Sequence, residues 1–559
     1  MQDIEDLPRC LHMQRGEKCE SKGLSRHNVS GNMREKCAVC PHYTAGTTSG
    51  ATTNPTTTSN DALNRAMKGE WIEADSTYPI ENPYGEMVSM DQLLQIREAQ
   101  RAPQRAMLDK IRSGEIRAPN ARLQYNLTGE IPKEWPLETP HTAAISPYAM
   151  LPEVDDIIRP IIHRFVENLK NKTTDMPFPE PFITNGYATY KEENRFQTEV
   201  DYIKSNYIWA GLSSDVLKAN DFVRIEMSGK SILLTRDVDM KFHAFENVCR
   251  HRGMEVVQKE NPRGNTQVHV CPYHSWAYGS DGDLLNVPFE QGFDNNTNVD
   301  LGNRNLIELP SAEIAGILFV VSHPKNSIDY ELLKENIMNS DLIKELSTYQ
   351  VDKNFVVVSQ EMFIKANWKL PIDTFGEAYH FSSLHPGLSE QLVGNSVIFR
   401  WFDDKNGKAQ HSCMTLGSQS LQLMADGHVP KERWLEPCGL SHCTQTFVIA
   451  PNTSMIVSTD GVRVTQAWPG KKVDECIVKV TMYNYKVPET DQDRVLLNNR
   501  FGQFMDVVCT EDFPILHQMQ RSFAESKDAE TIFGKHEPAL IYRHKMFLTM
   551  LEGSGKAKL

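Results

Sequence analysis

Two pairs of sulfur and nitrogen donors stand out in the chain: Cys249-x-His251 and Cys271-x-x-His274, with nineteen residues between them. Each pair offers one thiolate and one imidazole, so two loops could hold one metal centre from two sides. Zinc binds such donors tetrahedrally, but zinc-finger spacing usually puts both cysteines in one pair and both histidines in the other. The mixed pairs suit a two-iron, two-sulfur cluster, with Cys249 and Cys271 on one iron and His251 and His274 on the other. Replacing two thiolates by neutral imidazoles raises the reduction potential, as an electron relay needs. A zinc site and unrelated buried cysteines are the alternatives.

A second group lies in "NWKLPIDTFGEAYHFSSLHPG" (367–387), where His380 and His385 stand five apart. The composition predicts a helix over about 372–385, ended by Pro386-Gly387. Five positions turn an ideal helix by about 500°, which leaves the two imidazoles ~140° apart. They can face one ion only where the helix ends or widens into a π-type turn, a feature common at functional sites. By spacing alone such a pair is more often structural than metal-binding. A third group, Cys10, Cys19, Cys37 and Cys40, closes with "CAVCPH". Four thiolates suit zinc or an additional iron–sulfur cluster; unpaired thiols in a loose extension are the alternative.

The flanks of these residues carry a resemblance. "CRHRG" (249–253) and "CPYHSWAYGSDGDLLNVP" (271–288) are similar to the two loops of a Rieske cluster, including a Gly-Asp-Gly-type turn beyond the second pair. The 367–387 stretch resembles the catalytic motif of Rieske non-haem iron oxygenases, in which Asn-Trp-Lys precedes an acid, then Tyr-His, then a second His. "PNTSMIVSTDGVRVTQAWP" (451–469) is similar to the family's sheet strands, so the resemblance covers about residues 195–550.

The resemblance implies the large (alpha) subunit of an aromatic-ring-hydroxylating type of oxygenase, with an α+β fold. An all-β Rieske [2Fe-2S] domain would join a helix-grip-like antiparallel-sheet catalytic domain. It implies Cys249, His251, Cys271 and His274 as cluster ligands, and a mononuclear Fe(II) on His380, His385 and a carboxylate from a late helix. "CTEDFPILHQMQRSF" (509–523) supplies Asp512 as that carboxylate, with Gln520 eight residues on and Glu511 as the rival. Two histidines and a carboxylate leave one face of an octahedral iron open for O₂ beside the substrate. Glu377 is implied as the acid that links His274 of one subunit to His380 of the next in a homotrimeric ring. Most members have Asp there, and some that act on quaternary amines have Glu. Asp373 stands where many relatives have Asn, and is a further candidate near the iron. Phe375 and Phe381 are candidates for the pocket wall, with core packing at least as common for aromatics at this spacing.

The implied activity is that of a terminal oxygenase component. It would use O₂ to hydroxylate, dihydroxylate or demethylate a small organic substrate, aromatic or amine. No Gly-rich nucleotide fingerprint is present, so electrons from NAD(P)H would arrive through a separate ferredoxin or flavin reductase. Whether a small β subunit joins the trimer stays open. The rival readings are a non-catalytic Rieske electron-transfer or redox-sensing protein, and a membrane-associated pigment oxygenase.

The elements that must position these residues follow from patterning. After a Cys-rich segment (1–43), "TAGTTSGATTNPTTTSND" (44–61) has almost nothing to bury and reads as a flexible linker. Residues 62–194 read as a mainly helical extension. In its strongest part, 151–172, Val154, Ile157, Ile158, Ile161, Ile162, Phe165 and Leu169 make one apolar face, and Pro160 starts or kinks the helix. Short alternating strands with turns at "SGK" and "DVDM" mark a domain over 195–325. The rest, 326–559, mixes strands near 354–364, 444–460 and 476–485 with a helix over about 503–523.

Composition excludes other classes. The chain has 559 residues, 40% hydrophobic and 24% charged, and a net charge of −14, which argues against nucleic acid as the main partner. No apolar run approaches membrane-spanning length; "IAGILFVV" (314–321) has strand length. The N-terminus does not read as a signal peptide. Eleven cysteines, an odd number, fit a reducing, cytoplasmic setting.

Overall fold

The computed structural model describes residues 80–81, 87–88 and 145–553, apart from 294–299, 339, 386–387, 389–390 and 403–410. The four N-terminal cysteines, the 44–61 linker and most of 62–144 lie outside the described residues.

Helix α1 (Pro152–Lys170) opens with Pro152, Glu153 and Asp155 in its first turn and ends with Lys170, which suits the helix dipole. Val154, Ile158, Ile161, Ile162, Phe165 and Val166 are buried. Pro160 lies inside the helix rather than at its start; its ring is exposed, so the bond it cannot make is left to water. A five-residue helix, Gly186–Tyr190, leads into α2 (Glu193–Ser205). Residues 145–194, grouped by sequence with a helical extension, and 195–205, grouped with the following all-β domain, share two cores with the catalytic sheet.

Strand β1 (Ile208–Leu212) precedes the small all-β region. There β2 (Asp221–Met227), β3 (Lys230–Arg236), β4 (Phe242–Glu246) and β5 (Arg263–Asn265) form an antiparallel sheet in the order β4-β3-β2-β5. Its β2–β3 turn puts Ser228 (φ 51°) and Gly229 (φ 75°) in the left-handed region, as a tight hairpin requires. Strands β6 (Val268–Val270), β7 (Ala277–Gly279) and β8 (Leu284–Asn286) make a second small sheet. In a third, β9 (Ser311–Ile314) pairs with β10 (Ile317–Val320), which pairs in turn with β1.

The largest sheet has seven antiparallel strands among the described residues: β11 (Phe355–Ile364), β12 (Leu392–Phe402), β13 (His411–Ser418), β14 (Cys443–Ile449), β15 (Thr453–Ser458), β16 (Gly461–Pro469) and β17 (Cys476–Asn484). The order β11-β17-β16-β15-β14-β13-β12 puts β11 and β12 on opposite edges. Their connection, residues 365–391, must therefore cross the sheet. It contains α3 (Lys369–Phe375) and α4 (Phe381–Leu384), and with them both candidate iron histidines.

Side chains alternate between the two faces of the sheet. Phe447, Ile449, Val462 and Val464 pack with α1 residues. Val448, Val478, Val480 and Met482 pack with Leu497, Phe501, Met505, Phe513 and Leu516 of a long helical rod. That rod is α5 (Asp491–Val507), a π-turn (Val508–Asp512) and α6 (Phe513–Glu525) in unbroken succession. It extends well beyond the predicted 503–523. Helix α7 (Pro538–Gly553) closes the described chain.

Candidate metal centres

The two Cys-His loops have the same backbone shape. In the first, the Cys249 carbonyl accepts from Gly253 N (3.0 Å) and Cys249 N donates to the Met254 carbonyl (2.8 Å). In the second, the Cys271 carbonyl accepts from Ser275 N (3.0 Å) and Cys271 N donates to the Trp276 carbonyl (2.8 Å). Each closes through a left-handed residue, Gly253 (φ 82°) and Ser275 (φ 61°). The loops bring Cys249 and Cys271, both buried and free, together with His251 and His274, whose ring centroids lie 4.5 Å apart. Trp276 stacks on His251 at 4.9 Å and 6°. Tyr278 Oη lies 3.4 Å from Cys249 Sγ and accepts from Arg250 N (2.9 Å).

The donor set fits a cluster with two sulfur and two nitrogen ligands. Burial pushes the Cys271 thiol up and neighbouring Cys249 adds to it, while the N–H groups of Tyr273 and His274 pull it down. Those N–H groups are what a bound thiolate needs. His251 Nδ1 is buried with no hydrogen-bond partner.

The second centre departs from the predicted helix over 372–385. Helix α3 ends at Phe375, with Gly376 N bonded to the Asp373 carbonyl (2.8 Å). Glu377 then turns back: Oε2 accepts from His380 N (3.1 Å), and Oε1 meets His380 Nδ1 in a short contact. A single turn, α4, follows, flanked by His380 and His385. The two imidazoles converge across that turn without any widening. The π-type turn lies instead at Val508–Asp512, where it re-aims the carboxylate.

His380, His385 and Asp512 offer ligand atoms that all lie within 4.8 Å of one another. The Nε2 atoms of the two histidines are 3.1 Å apart. Asp512 Oδ1 lies 3.0 Å from His385 Nε2 and 3.6 Å from His380 Nε2. On the far side of His385, Nδ1 is 2.5 Å from Glu511 Oε2. A carboxylate only accepts, so Glu377 and Glu511 hold the protons on the two Nδ1 atoms and leave both Nε2 atoms as lone pairs. Two lone pairs and a carboxylate oxygen then face one another. Asp512 Oδ1 is buried and receives no hydrogen bond. Such a set fits a divalent cation of the kind bound by two histidines and one carboxylate. Glu511, the sequence rival for the third ligand, meets the ring nitrogen that points away from this set.

The remaining candidates separate. Asp373 is not one of the three converging donors; it is buried against Arg543, His544 Nε2 (3.2 Å) and Tyr190 Oη (2.9 Å). Burial would raise its carboxyl, but Arg543 and His544 outweigh that and hold it near 2. Gln520 accepts from Asn367 N (2.9 Å) and donates to the Tyr190 carbonyl (3.1 Å), which ties α6 to the start of the ligand segment. Phe381 lies against His380 and His385, with ring centroids 4.8 and 5.4 Å away, and packs with Ala378, Val397 and Met414. Phe375 instead stacks on Phe504 (6.2 Å) in the core. Sequence reasoning missed Tyr190, Arg543 and His544, and no local motif marks them.

Comparison with known proteins agrees with both centres. Residues 206–300 match the model of the Rieske [2Fe-2S] domain, and residues 343–553 match that of the ring hydroxylating alpha subunit (catalytic domain). The carnitine monooxygenase oxygenase subunit of Escherichia coli (strain K12) is 30% identical over 288 residues, 49% of this chain and 73% of the relative. The chain belongs to the Rieske oxygenase family. The naphthalene 1,2-dioxygenase large oxygenase component of Pseudomonas aeruginosa is 30% identical to this Rieske oxygenase over 244 residues, 41% of this chain and 52% of the relative. Among solved structures, the quaternary ammonium Rieske monooxygenase CntA superposes with a TM-score of 0.53 at 18% identity, over 66% of this chain and 96% of that one. That match shows the fold. This Rieske oxygenase is therefore an oxidoreductase of the non-haem iron mono- or dioxygenase type, with a Rieske domain and an iron-binding catalytic domain. Among its described residues, no helix is long and apolar enough to cross a membrane.

Proposed function

We propose that the chain is the terminal oxygenase component of a multi-part system. In this reading it takes electrons from NAD(P)H through a separate reductase or ferredoxin and uses O₂ to hydroxylate, dihydroxylate or demethylate a small organic substrate. Cys249, His251, Cys271 and His274 would hold the [2Fe-2S] cluster, and His380, His385 and Asp512 the mononuclear iron. The observation that carries the reading is the convergence of two Nε2 lone pairs and the unpaired Asp512 Oδ1, with each Nδ1 proton fixed by a carboxylate. When bound, the cluster supplies single electrons and the iron supplies a place for O₂ beside the substrate.

The chain's own residues do the rest. Glu377 and Glu511 keep the imidazoles in one tautomer and orientation, as outer carboxylates do around metal-bound histidines. Phe381 excludes water from one side of the donors. Glu377 and Tyr379 stand at the surface side of His380, with Tyr379 exposed; this suits receipt of electrons from His274 of a neighbouring subunit in a homotrimer.

The test is anaerobic reduction of the purified, metal-loaded protein, followed by ¹⁸O₂ and a panel of substrates. The panel begins with quaternary ammonium compounds, because a relative is named for carnitine and Glu rather than Asp stands at 377. Aromatic hydrocarbons follow. Label in a product supports the oxygenase. Re-oxidation of the cluster with no labelled product from any compound, in protein that lacks mononuclear iron, would identify an electron carrier instead.

A further inference from the structure

Helix α7 and the residues before it run antiparallel to the ligand segment and touch it at every turn. Phe547 meets the Trp368 ring edge-on at 5.5 Å. Arg543 donates to the Lys369 carbonyl (3.2 Å) and to the Asp373 carboxylate, and His544 Nε2 lies 3.2 Å from both Asp373 oxygens. One turn back, a Cβ added to Gly376 would fall 2.9 Å from Leu540 Cδ2, so α7 rests directly on the backbone there. Beyond the helix start, the His536 ring meets the Tyr379 ring at 4.4 Å and 70°. Positions 547, 544, 543 and 540 share one helical face, and with His536, in the turn just before the helix, their contacts run back along the ligand segment from Trp368 through Lys369, Asp373 and Gly376 to Tyr379. Glu537, whose carboxylate accepts from Gly534 N (2.7 Å), also comes near Glu377: burial raises its carboxyl, Gly534 N–H opposes this, and the Glu377 charge adds to the rise.

A packing helix needs only apolar contacts. Here the middle is a buried ion pair between Asp373 and Arg543, and one end reaches the two residues, Glu377 and Tyr379, that precede the first histidine. We infer that α7 and the turn before it, through Arg543, Leu540 and His536, are the splint that sets where Glu377 and His380 stand, and so govern electron entry to the catalytic iron. The inference rests on the reading of Glu377 as the relay carboxylate. Arg543, Leu540 and His536 are positioning residues; none touches the three donors.

The test uses the full-length, metal-loaded protein. His536→Ala removes the ring under Tyr379, and its half-exposed side chain makes the variant safe to fold. His536→Phe keeps an edge-on aromatic contact. Gly376→Ala drives a methyl group against Leu540. The readouts are the single-turnover rate at which the reduced cluster re-oxidises, and hydrogen exchange of the 376–385 amides. Misplacing Glu377 or His380 is expected to slow re-oxidation by about tenfold or more in His536→Ala and Gly376→Ala. Exchange should quicken at 376–380, while iron content, cluster spectrum and substrate KM stay the same, and His536→Phe should restore the rate. Wild-type re-oxidation in both variants, whatever happens to Tm, would overturn the inference and leave α7 a packing helix. Glu377→Gln separates the two layers. If it too transfers at the wild-type rate, the relay reading itself fails; if only Glu377→Gln is slow, the splint alone fails.

Discussion

Glu511 and Asp512 are neighbours in sequence, yet they meet opposite nitrogens of one imidazole: Nδ1 of His385 faces Glu511 and Nε2 faces Asp512. Their substitutions should therefore differ in kind. Asp512→Ala removes a donor and should abolish retained iron. Glu511→Gln removes only the group that orients His385, and should weaken metal affinity by about 10–100-fold. Titration of the apo catalytic site with Fe(II) or Co(II) measures both; the reverse ranking would exchange their roles. At the other centre, Tyr278 Oη is a hydrogen-bond donor within reach of Cys249 Sγ, and hydrogen bonds to cluster sulfurs raise the potential. Its loss in Tyr278→Phe, at about 1 kcal/mol for one hydrogen bond, should lower the midpoint by on the order of 40 mV for a one-electron couple. Protein-film voltammetry would show it, and an unchanged midpoint would mean the hydroxyl serves only Arg250 N. Much of this scale was legible in the chain. Cys-x-His and Cys-x-x-His are local patterns, and His380 and His385 are close neighbours. Glu511 was visible only as a rival ligand, because its real contact spans 126 residues and depends on a turn that sequence does not announce.

Where the helices break decides which side chains meet at the iron site. Between the histidines the sequence left a helix end or a π-type widening; the helix ends there, and a π-turn occurs beneath Asp512. The histidine segment breaks instead because Glu377, three residues before His380, caps the next turn through His380 N. An acid there satisfies the backbone that a continuous helix would have used. The rod α5–π–α6 keeps its apolar face across the π-turn, and the extra residue per turn is what brings Asp512 round to the histidines. Deleting Thr510, a half-exposed residue of that turn, should return the rod to regular helix and swing Asp512 by about 100°. The expected result is a protein of unchanged circular dichroism that has lost its mononuclear iron and kept its cluster; full iron retention would show that the π-turn does not aim the carboxylate. Strands β12 and β13 escaped sequence reading. In "LVGNSVIFRWF" the register slips between Leu392 and Val397, and residues on both faces are buried, so the alternation that reveals a strand is lost. Without those strands the topology was hidden, and with it the reason why residues 365–391 cross the sheet.

For the whole molecule, the chain places a cluster site and an iron site in one polypeptide, and the proposed ring would join the cluster of one subunit to the iron of the next. Complementation tests that arrangement. His274→Ala should lack the cluster and His385→Ala the iron, so each homo-oligomer is inactive. Co-expressed and purified as mixed oligomers, they should regain single-turnover electron transfer, because some junctions pair an intact cluster with an intact iron site. Mixed oligomers with no recovered transfer would confine the electron path to single chains. Phe165, buried in α1 against the sheet core, shows how far the catalytic body extends before the matched domains. That helix was legible from its 3.6-residue apolar repeat, whereas its partner on the sheet was not. Metal and acid-labile sulfide per chain, for anaerobically purified wild type and for His380→Ala/His385→Ala, decide whether one chain holds both centres. Wild type should hold about three irons and about two sulfides, falling by about one iron in the variant with the cluster spectrum intact. Two irons in both proteins would contradict it and leave an electron carrier without a catalytic centre.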